Sequence, residues 1–277
     1  MKLLKMIIAV CAIIVGLTCK AGDVDSTFYL NGQMGRLNVH LQLPDRKNSE
    51  KIPVVIICHG LTGNQNEPFI SKIAADALKE GLGVVRFDFN GHGKSDGDFQ
   101  YMDALNIQDD LNRVIAWTAE QPFTKDISLL GHSLGGIVAG MVAPELGVDK
   151  IKSVVLIASG GVVPDLMLMG NFFGIMFDPW NLPEYLTLPD GKKLGRNYLQ
   201  TMRDLPIYQT AAKYTGPTLV LNGRKDTVVP YNYAIRYAEV MPGAELHIIE
   251  NESHGFTVTA DETAAMIARW LKVQDSM

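Results

Sequence analysis

Gly131-His132-Ser133-Leu134-Gly135-Gly136 stands between an apolar run, Ile127 to Leu130, and a small-residue helical pattern, Ile137 to Val142. A strand that turns so sharply into a helix forces its central residue into a strained conformation, and only glycine at the flanking positions leaves room for the turn. Gly-x-Ser-x-Gly in this context is a nucleophile elbow, which stands the Ser133 hydroxyl above the end of a sheet. The five-residue motif alone is weak, since glycine and serine are common. The strand before it and the helix after it carry the reading.

A serine hydroxyl needs a base and the base needs an acid, and elbows of this kind are followed along the chain by Asp or Glu and then His. Of six histidines, only His247 and His254 follow an eligible acid. His247 lies inside Ala244 to Glu250, which reads as a strand and would hold the ring on a face of the sheet. His254 lies in the loop after it, where a side chain can reach over the strand ends, and is the expected base. The expected acid is Asp226, on the loop leaving the strand Pro217 to Gly223. An N-cap for the helix near Pro230 would explain an Asp there, but not its place between Ser133 and His254. Glu252 and Asp204 are weaker rivals. In such a triad the carboxylate fixes the imidazole tautomer and stabilises the imidazolium formed when Ser133 gives up its proton.

Attack on a carbonyl also builds charge on oxygen, which needs preorganised backbone donors. Pro53 to Cys58 reads as a buried strand running into His59-Gly60-Leu61-Thr62-Gly63. The N–H groups of Leu61 and Leu134 are the expected oxyanion donors. His59 is read as holding the loop by a hydrogen bond, and His92 and His132 as positional rather than catalytic.

Met1 to Ala21 has the three parts of a secretory signal: Lys2 and Lys5, the apolar Met6 to Leu17, and a small residue at the end. The apolar run is too short to span a bilayer. Cleavage after Ala21 is expected, giving an exported, periplasmic or extracellular protein; Gly16-Leu17-Thr18-Cys19 is a poor lipobox that offers lipid anchoring at Cys19 as the alternative. The mature chain then keeps 22 basic against 30 acidic residues and a single cysteine, Cys58. That balance does not suit nucleic acid. One cysteine allows no intramolecular disulfide, and the remaining residues, 22–277, are enough for one α/β domain with a core that stands alone.

Two amphipathic strands, Thr27 to Leu30 and Arg36 to Leu43, precede the Pro53 strand. After it come a helix from about Pro68 to Glu80, a strand at Gly83 to Phe89, a helix from about Asn106 to Glu120, the elbow and a strand at Lys152 to Ala158. Such alternation predicts a doubly wound, mostly parallel sheet with its site at the strands' carboxyl ends. Asp88 to Ser95 is glycine-rich but lacks the Walker spacing, and reads as a turn beside the site. The alternation stops near residue 160 and resumes at Thr218. The insertion, about 160–206, is expected to be a lid. Its Met167, Met169, Phe172, Phe173, Met176, Phe177 and Trp180 either form the lid's own core or line an adaptable apolar pocket.

Together these residues resemble the α/β-hydrolase superfamily over nearly the whole mature chain. Arg86 to Gly97, Leu205 to Tyr208 and Asp226 to Val229 are similar to segments of bacterial cinnamoyl or feruloyl esterases, which release hydroxycinnamic acids from plant polysaccharides beneath a small lid. The resemblance implies an α/β-hydrolase fold, Ser133 as nucleophile, Asp226 as acid, His254 as base, and Asp165 and Tyr198 as the lid positions that bind the phenolic hydroxyl; Trp180, from the insertion's own aromatic set, is expected on the substrate side with them. It implies a small-molecule or oligosaccharide ester as substrate and neither metal nor cofactor. Many members carry Gln after the nucleophile where this chain has Leu134, a change that alters the pocket floor but not a backbone donor. The alternatives are a short-chain acyl esterase or serine peptidase on the same scaffold, and a hydrolase-like binding protein without turnover.

Overall fold

A computed structural model describes residues 24–46 and 50–275; the expected signal segment Met1–Ala21, with Cys19, lies outside them. Three strands open the chain, β1 (Val24–Asn31), β2 (Arg36–Leu43) and β3 (Ile52–Cys58), followed by α1 (Pro68–Lys79), β4 (Gly83–Phe87) and α2 (Ala104–Ala119). The elbow joins β5 (Thr124–His132) to α3 (Leu134–Leu146), and β6 (Ser153–Ile157) follows. Between β6 and β11 (Thr218–Gly223) lie α4 (Val163–Met169), the hairpin β7 (Asn171–Phe172) with β8 (Ile175–Met176), the ribbon β9 (Tyr185–Thr187) with β10 (Lys193–Gly195), α5 (Arg196–Arg203) and α6 (Ile207–Ala211). Then α7 (Asn232–Val240), β12 (Glu245–Ile249) and α8 (Ala260–Asp275) close the chain.

Eight strands form one sheet in the order β1-β2-β4-β3-β5-β6-β11-β12. β1 and β2 pair antiparallel with their neighbours, and the rest of the sheet is parallel. Parallel strands need long crossovers, and helices supply them on both faces. The period-two alternation of strand side chains sorts the core accordingly. In β3, Val54, Ile56 and Cys58 join the cluster that holds α2 and α3, while Val55 and Ile57 join the one that holds α1 and α8. Buried on both faces, β3 and β6 are near-continuous apolar runs, whereas the edge strand β1 alternates half-buried and exposed residues.

The elbow works because two glycines let three backbones meet. A Cβ on Gly131 would collide with the Gly135 carbonyl, and one on Gly135 with the Cys58 carbonyl of β3. The helix can therefore start directly against the sheet, with Ser133 at φ 56° and ψ −114°. Such backbone costs of order 1–3 kcal/mol. Four hydrogen bonds hold it: Ser133 N–H donates to the Ile157 carbonyl (2.9 Å), and the Ser133 carbonyl accepts from Gly136, Ile137 and Gly160 (3.0, 3.3 and 3.0 Å). At about 1 kcal/mol net apiece these offset the strain.

Beside the site, the glycine-rich loop after β4 turns its polar groups inward. The Asp88 carboxylate accepts from the backbone of Gln65 (2.8 Å) and Lys94 (2.9 Å) and from Asn38 Nδ2 (2.9 Å). The loop's amides thus serve the protein's own carboxylate, in keeping with a turn. Its first part is tied by Asn90 N–H donating to Asp110 Oδ2 (2.8 Å), while Asp110 Oδ1 has no partner among the described residues. Burial pushes the Asp110 carboxyl up to about 7. An unfolded carboxyl titrates near ~3.9, so between these values the folded chain holds a proton that the unfolded chain has lost. This group's contribution is full below about pH 4, falls as pH rises to about 7 and is level above. Asp110→Asn is expected to remove that slope, roughly 2–4 kcal/mol in all. Urea unfolding of both proteins at pH 5 and 7.5 checks it; an equal pH dependence in the two would overturn it.

Candidate active site

Ser133 stands at the carboxyl end of β5, Asp226 on the loop leaving β11 and His254 on the loop leaving β12. The parallel sheet brings all three to one edge, and they are hydrogen-bonded in series. His254 Nε2 lies 3.1 Å from Ser133 Oγ, and His254 Nδ1 lies 2.8 Å from Asp226 Oδ2. The Asp226 side chain is fully buried and His254 is 22% exposed. Asp226 Oδ1 accepts from the backbone of Val228 and Val229, both at 2.8 Å, so its orientation is set before the histidine arrives. A carboxylate on Nδ1 keeps that nitrogen protonated and leaves Nε2 free to take a proton from Ser133.

The rivals are engaged elsewhere. Glu252 is buried, but its Oε1 accepts from the backbone of Val258 and Thr259 and from the Thr259 hydroxyl, closing the loop that carries His254. Asp204 pairs with Arg203 on the surface, and His247 pairs with Glu245 on β12.

Leu61 and Leu134 both line the cavity at Ser133. Leu134 is the first residue of α3, so its N–H has no acceptor within the helix. Two histidines hold the surrounding loops. Phe89 N–H donates to His59 Nε2 (3.1 Å), which leaves the ring proton on Nδ1, donated to the Gly60 carbonyl (2.7 Å). Burial holds His59 below its usual range, so it stays neutral in this role. Burial, helped by the charge of His254, lowers His132 to about 4. Its Nε2 donates to the His254 carbonyl (2.9 Å), and its ring lies against the His254 ring at 4.9 Å. His92 is likewise lowered by burial, to about 3, and bonds the Asn90 carbonyl. Two polar residues of the β4 region take a role that the sequence did not reveal and fix the loop after β3: Arg86 Nη1 donates to the Gln65 carbonyl (2.8 Å), and Asp88 takes the Gln65 N–H.

A cavity of about 190 Å³ opens at Ser133, walled mainly by Leu61, Val163, Phe172, Phe173, Val228 and Val229, with Tyr198 as the polar residue contributed by the insertion. Phe173 reaches over it from the β7–β8 turn, in a left-handed conformation (φ 49°) that its neighbour Gly174 shares. Tyr198 is buried, burial pushes its ionisation upward, and its hydroxyl has no hydrogen-bond partner among the described residues. The insertion's Met and aromatic residues divide: Met167 and Phe172 are buried, whereas Met169, Met176 and Trp180 are exposed.

Two expected substrate-side residues do not line this cavity. Val163 faces it, and two residues on, about 200° around α4, Asp165 faces away and accepts from the Tyr233 hydroxyl (2.9 Å). Trp180 is 77% exposed, with the Arg203 guanidinium over its ring at 5.4 Å. Among the described residues no group of three or more His, Cys, Asp or Glu is placed to hold a metal ion, and no helix is long and apolar enough to cross a membrane.

Est1E from Butyrivibrio proteoclasticus, solved with ferulic acid bound, superposes on this chain with a TM-score of 0.86 at 28% identity, covering 90% of this chain and 100% of Est1E. The mitochondrial palmitoyl-protein thioesterase ABHD10 of Rattus norvegicus is 25% identical over 221 residues, 76% of this chain and 72% of that protein. The Pyrococcus furiosus esterase Pf2001 shares the fold, with a TM-score of 0.68 at 20% identity over 91% of this chain and 93% of its own. A model of the alpha/beta hydrolase family matches residues 55–266, most of the sheet with the elbow and the His254 loop, and the chain belongs to that family.

Proposed function

We propose that this hydrolase is a serine carboxylic-ester hydrolase that releases hydroxycinnamic, ferulic-type acids from plant polysaccharide esters. The observation that carries the reading is the hydrogen-bonded series Ser133, His254, Asp226 opening on a small apolar cavity with one unpartnered phenol. Ser133 Oγ attacks the ester carbonyl while His254 Nε2 takes its proton. The N–H groups of Leu61 and Leu134 receive the charge that develops on oxygen. The alcohol leaves with the proton held on Nε2, and a water activated by the same nitrogen hydrolyses the acyl-enzyme. Asp226 keeps Nδ1 protonated throughout.

The acyl group sits beneath the insertion, which acts as the lid. Flat aromatic walls suit a phenylpropenoyl group. The Tyr198 hydroxyl, which no described residue hydrogen-bonds and which faces the cavity, suits a phenolic hydroxyl, a net hydrogen bond of about 0.5–1.5 kcal/mol. The likeness to Est1E with ferulic acid bound supports the same class. Residues 1–21 support export as the setting.

The test is a ratio. Tyr198→Phe is expected to lower kcat/KM for methyl ferulate relative to methyl butyrate about tenfold, the equivalent of about 1.4 kcal/mol. A ratio unchanged in Tyr198→Phe, or a wild type that prefers butyrate a hundredfold, would favour a general short-chain esterase; preference for an amino-acid amide would favour a peptidase. Failure of a fluorophosphonate to label Ser133 would favour a binding protein.

A further inference from the structure

Outside the Ser133 cavity lies a second cleft, of about 480 Å³, between the start of α1 and the loop leading to α8. Its walls include Glu67, Phe69, Lys72, His132, Phe256 and Thr257. It shares no lining residue with the first cavity, yet the two adjoin at two points of the chain: His132 precedes Ser133, and Gly255, in the cleft wall, follows His254. The Gly60–Gly63 turn runs between them, with Gly60 against Ser133 and His132 and Gly63 against the Glu67 carboxylate.

An ester has two halves, joined at the carbonyl that Ser133 attacks. If the acyl half fills the cavity beneath Phe172, Phe173 and Tyr198, the alcohol half must leave on another side. We propose that this cleft is the leaving-group site, and that it takes a neutral polyhydroxylated alcohol, a glycosyl unit, with Glu67 bonding its hydroxyls. The inference rests on the ester-hydrolase reading above and extends it to the other half of the substrate.

Three observations select that chemistry. Phe69 and Phe256 stack almost parallel, with centroids 5.0 Å apart and 4° between planes, and both are buried, so they give the cleft a rigid apolar back without a charge of its own. Lys72 is already committed to Asp76 (2.9 Å) and Asp261 (3.1 Å). That leaves Glu67, whose carboxylate accepts no hydrogen bond from the described residues and caps no helix N–H. Partial burial raises its ionisation, while His254 draws it down. With no donor among the described residues on them, its two oxygens are left to accept from the hydroxyls of a bound alcohol, which the amide of a glutamine would do with only one oxygen.

Four esters and two variants test it: the methyl and arabinosyl esters of ferulate, and the same pair of butyrate, with Glu67→Gln and Thr257→Trp, the latter filling the cleft. The arabinosyl-to-methyl ratio of kcat/KM is expected to fall about tenfold in Glu67→Gln, mainly through KM, and further in Thr257→Trp. Ratios within twofold of wild type in both variants would overturn the proposal. A choline ester preferred over the arabinosyl ester, with that preference lost in Glu67→Gln, would overturn its polyol chemistry. Because the ratio is taken within each acyl series, an enzyme that accepts only butyrate refutes the feruloyl reading while still judging the cleft.

Discussion

Ser133→Ala is expected to lower kcat for ester hydrolysis by about four orders of magnitude or more, and His254→Ala by a similar factor, since a nucleophile and its base act as one unit. The two losses should not add in the double variant. The structure separates this loss from misfolding. Ser133 owes its place to backbone bonds with Ile157, Gly136, Ile137 and Gly160, none of which involves its hydroxyl. Alanine keeps those bonds and keeps the strain of φ 56°. Glycine keeps the bonds and relieves the strain, so Ser133→Gly should be as inactive as Ser133→Ala but more stable by roughly 1 kcal/mol. Thermal unfolding and turnover measured on the same preparations test both statements. Residual activity in Ser133→Ala above a tenth of wild type would remove Ser133 from the role of nucleophile.

The elbow was readable because its requirements are local. A sharp strand-to-helix turn needs glycine at two fixed offsets, and Gly131 packs on the Gly135 carbonyl and Gly135 on the Cys58 carbonyl as that turn demands. The meeting of Ser133, Asp226 and His254 was readable for a different reason: parallel strands put their exit loops at one edge, so position after a strand stands in for position in space. Strand and helix positions followed from periodicity, with shifts of a few residues at the ends, as at β1, β4 and α2.

The insertion obeys neither rule. Its elements are two to eight residues long, too short to show a period, and its contacts are set by what they pack on. Asp165 was placed on the substrate side by resemblance and Trp180 by the insertion's aromatic composition, and each is engaged by one partner distant in sequence, Tyr233 and Arg203. Tyr198 reaches the cavity because α5 buries it there beside Leu199 and Met202. The polar supports of the loop after β3 were also hidden. Arg86 belongs to a strand that reads as core and Asp88 to the turn after it, and only the fold shows that both hold Gln65.

Asp226→Asn is expected to be nearly as damaging as loss of the serine, by about 10⁴ in kcat, with little change in stability. The reason lies in which oxygen does what. Oδ1 accepts from the two backbone N–H groups of Val228 and Val229, and Oδ2 faces His254 Nδ1. An asparagine can meet both N–H groups only by turning its carbonyl oxygen toward them, which points its NH₂ at His254. Nδ1 must then accept rather than donate, so the imidazole proton moves to Nε2. A protonated Nε2 cannot take the Ser133 proton, and raising the pH does not restore it, because the defect is the tautomer and not the charge. Asp226→Ala removes that enforcement but strands two N–H groups, one of them buried, at a cost of about 1–3 kcal/mol for each one left dry. The two variants should therefore part in opposite directions: Asn stable and nearly inert at every pH, Ala less stable by a measurable margin but no less active than Asn. Turnover from pH 6 to 9 and urea unfolding of both proteins would show it. An Asn variant that keeps more than a hundredth of wild-type kcat, or recovers as pH rises, would mean that Asp226 does not set the histidine's tautomer.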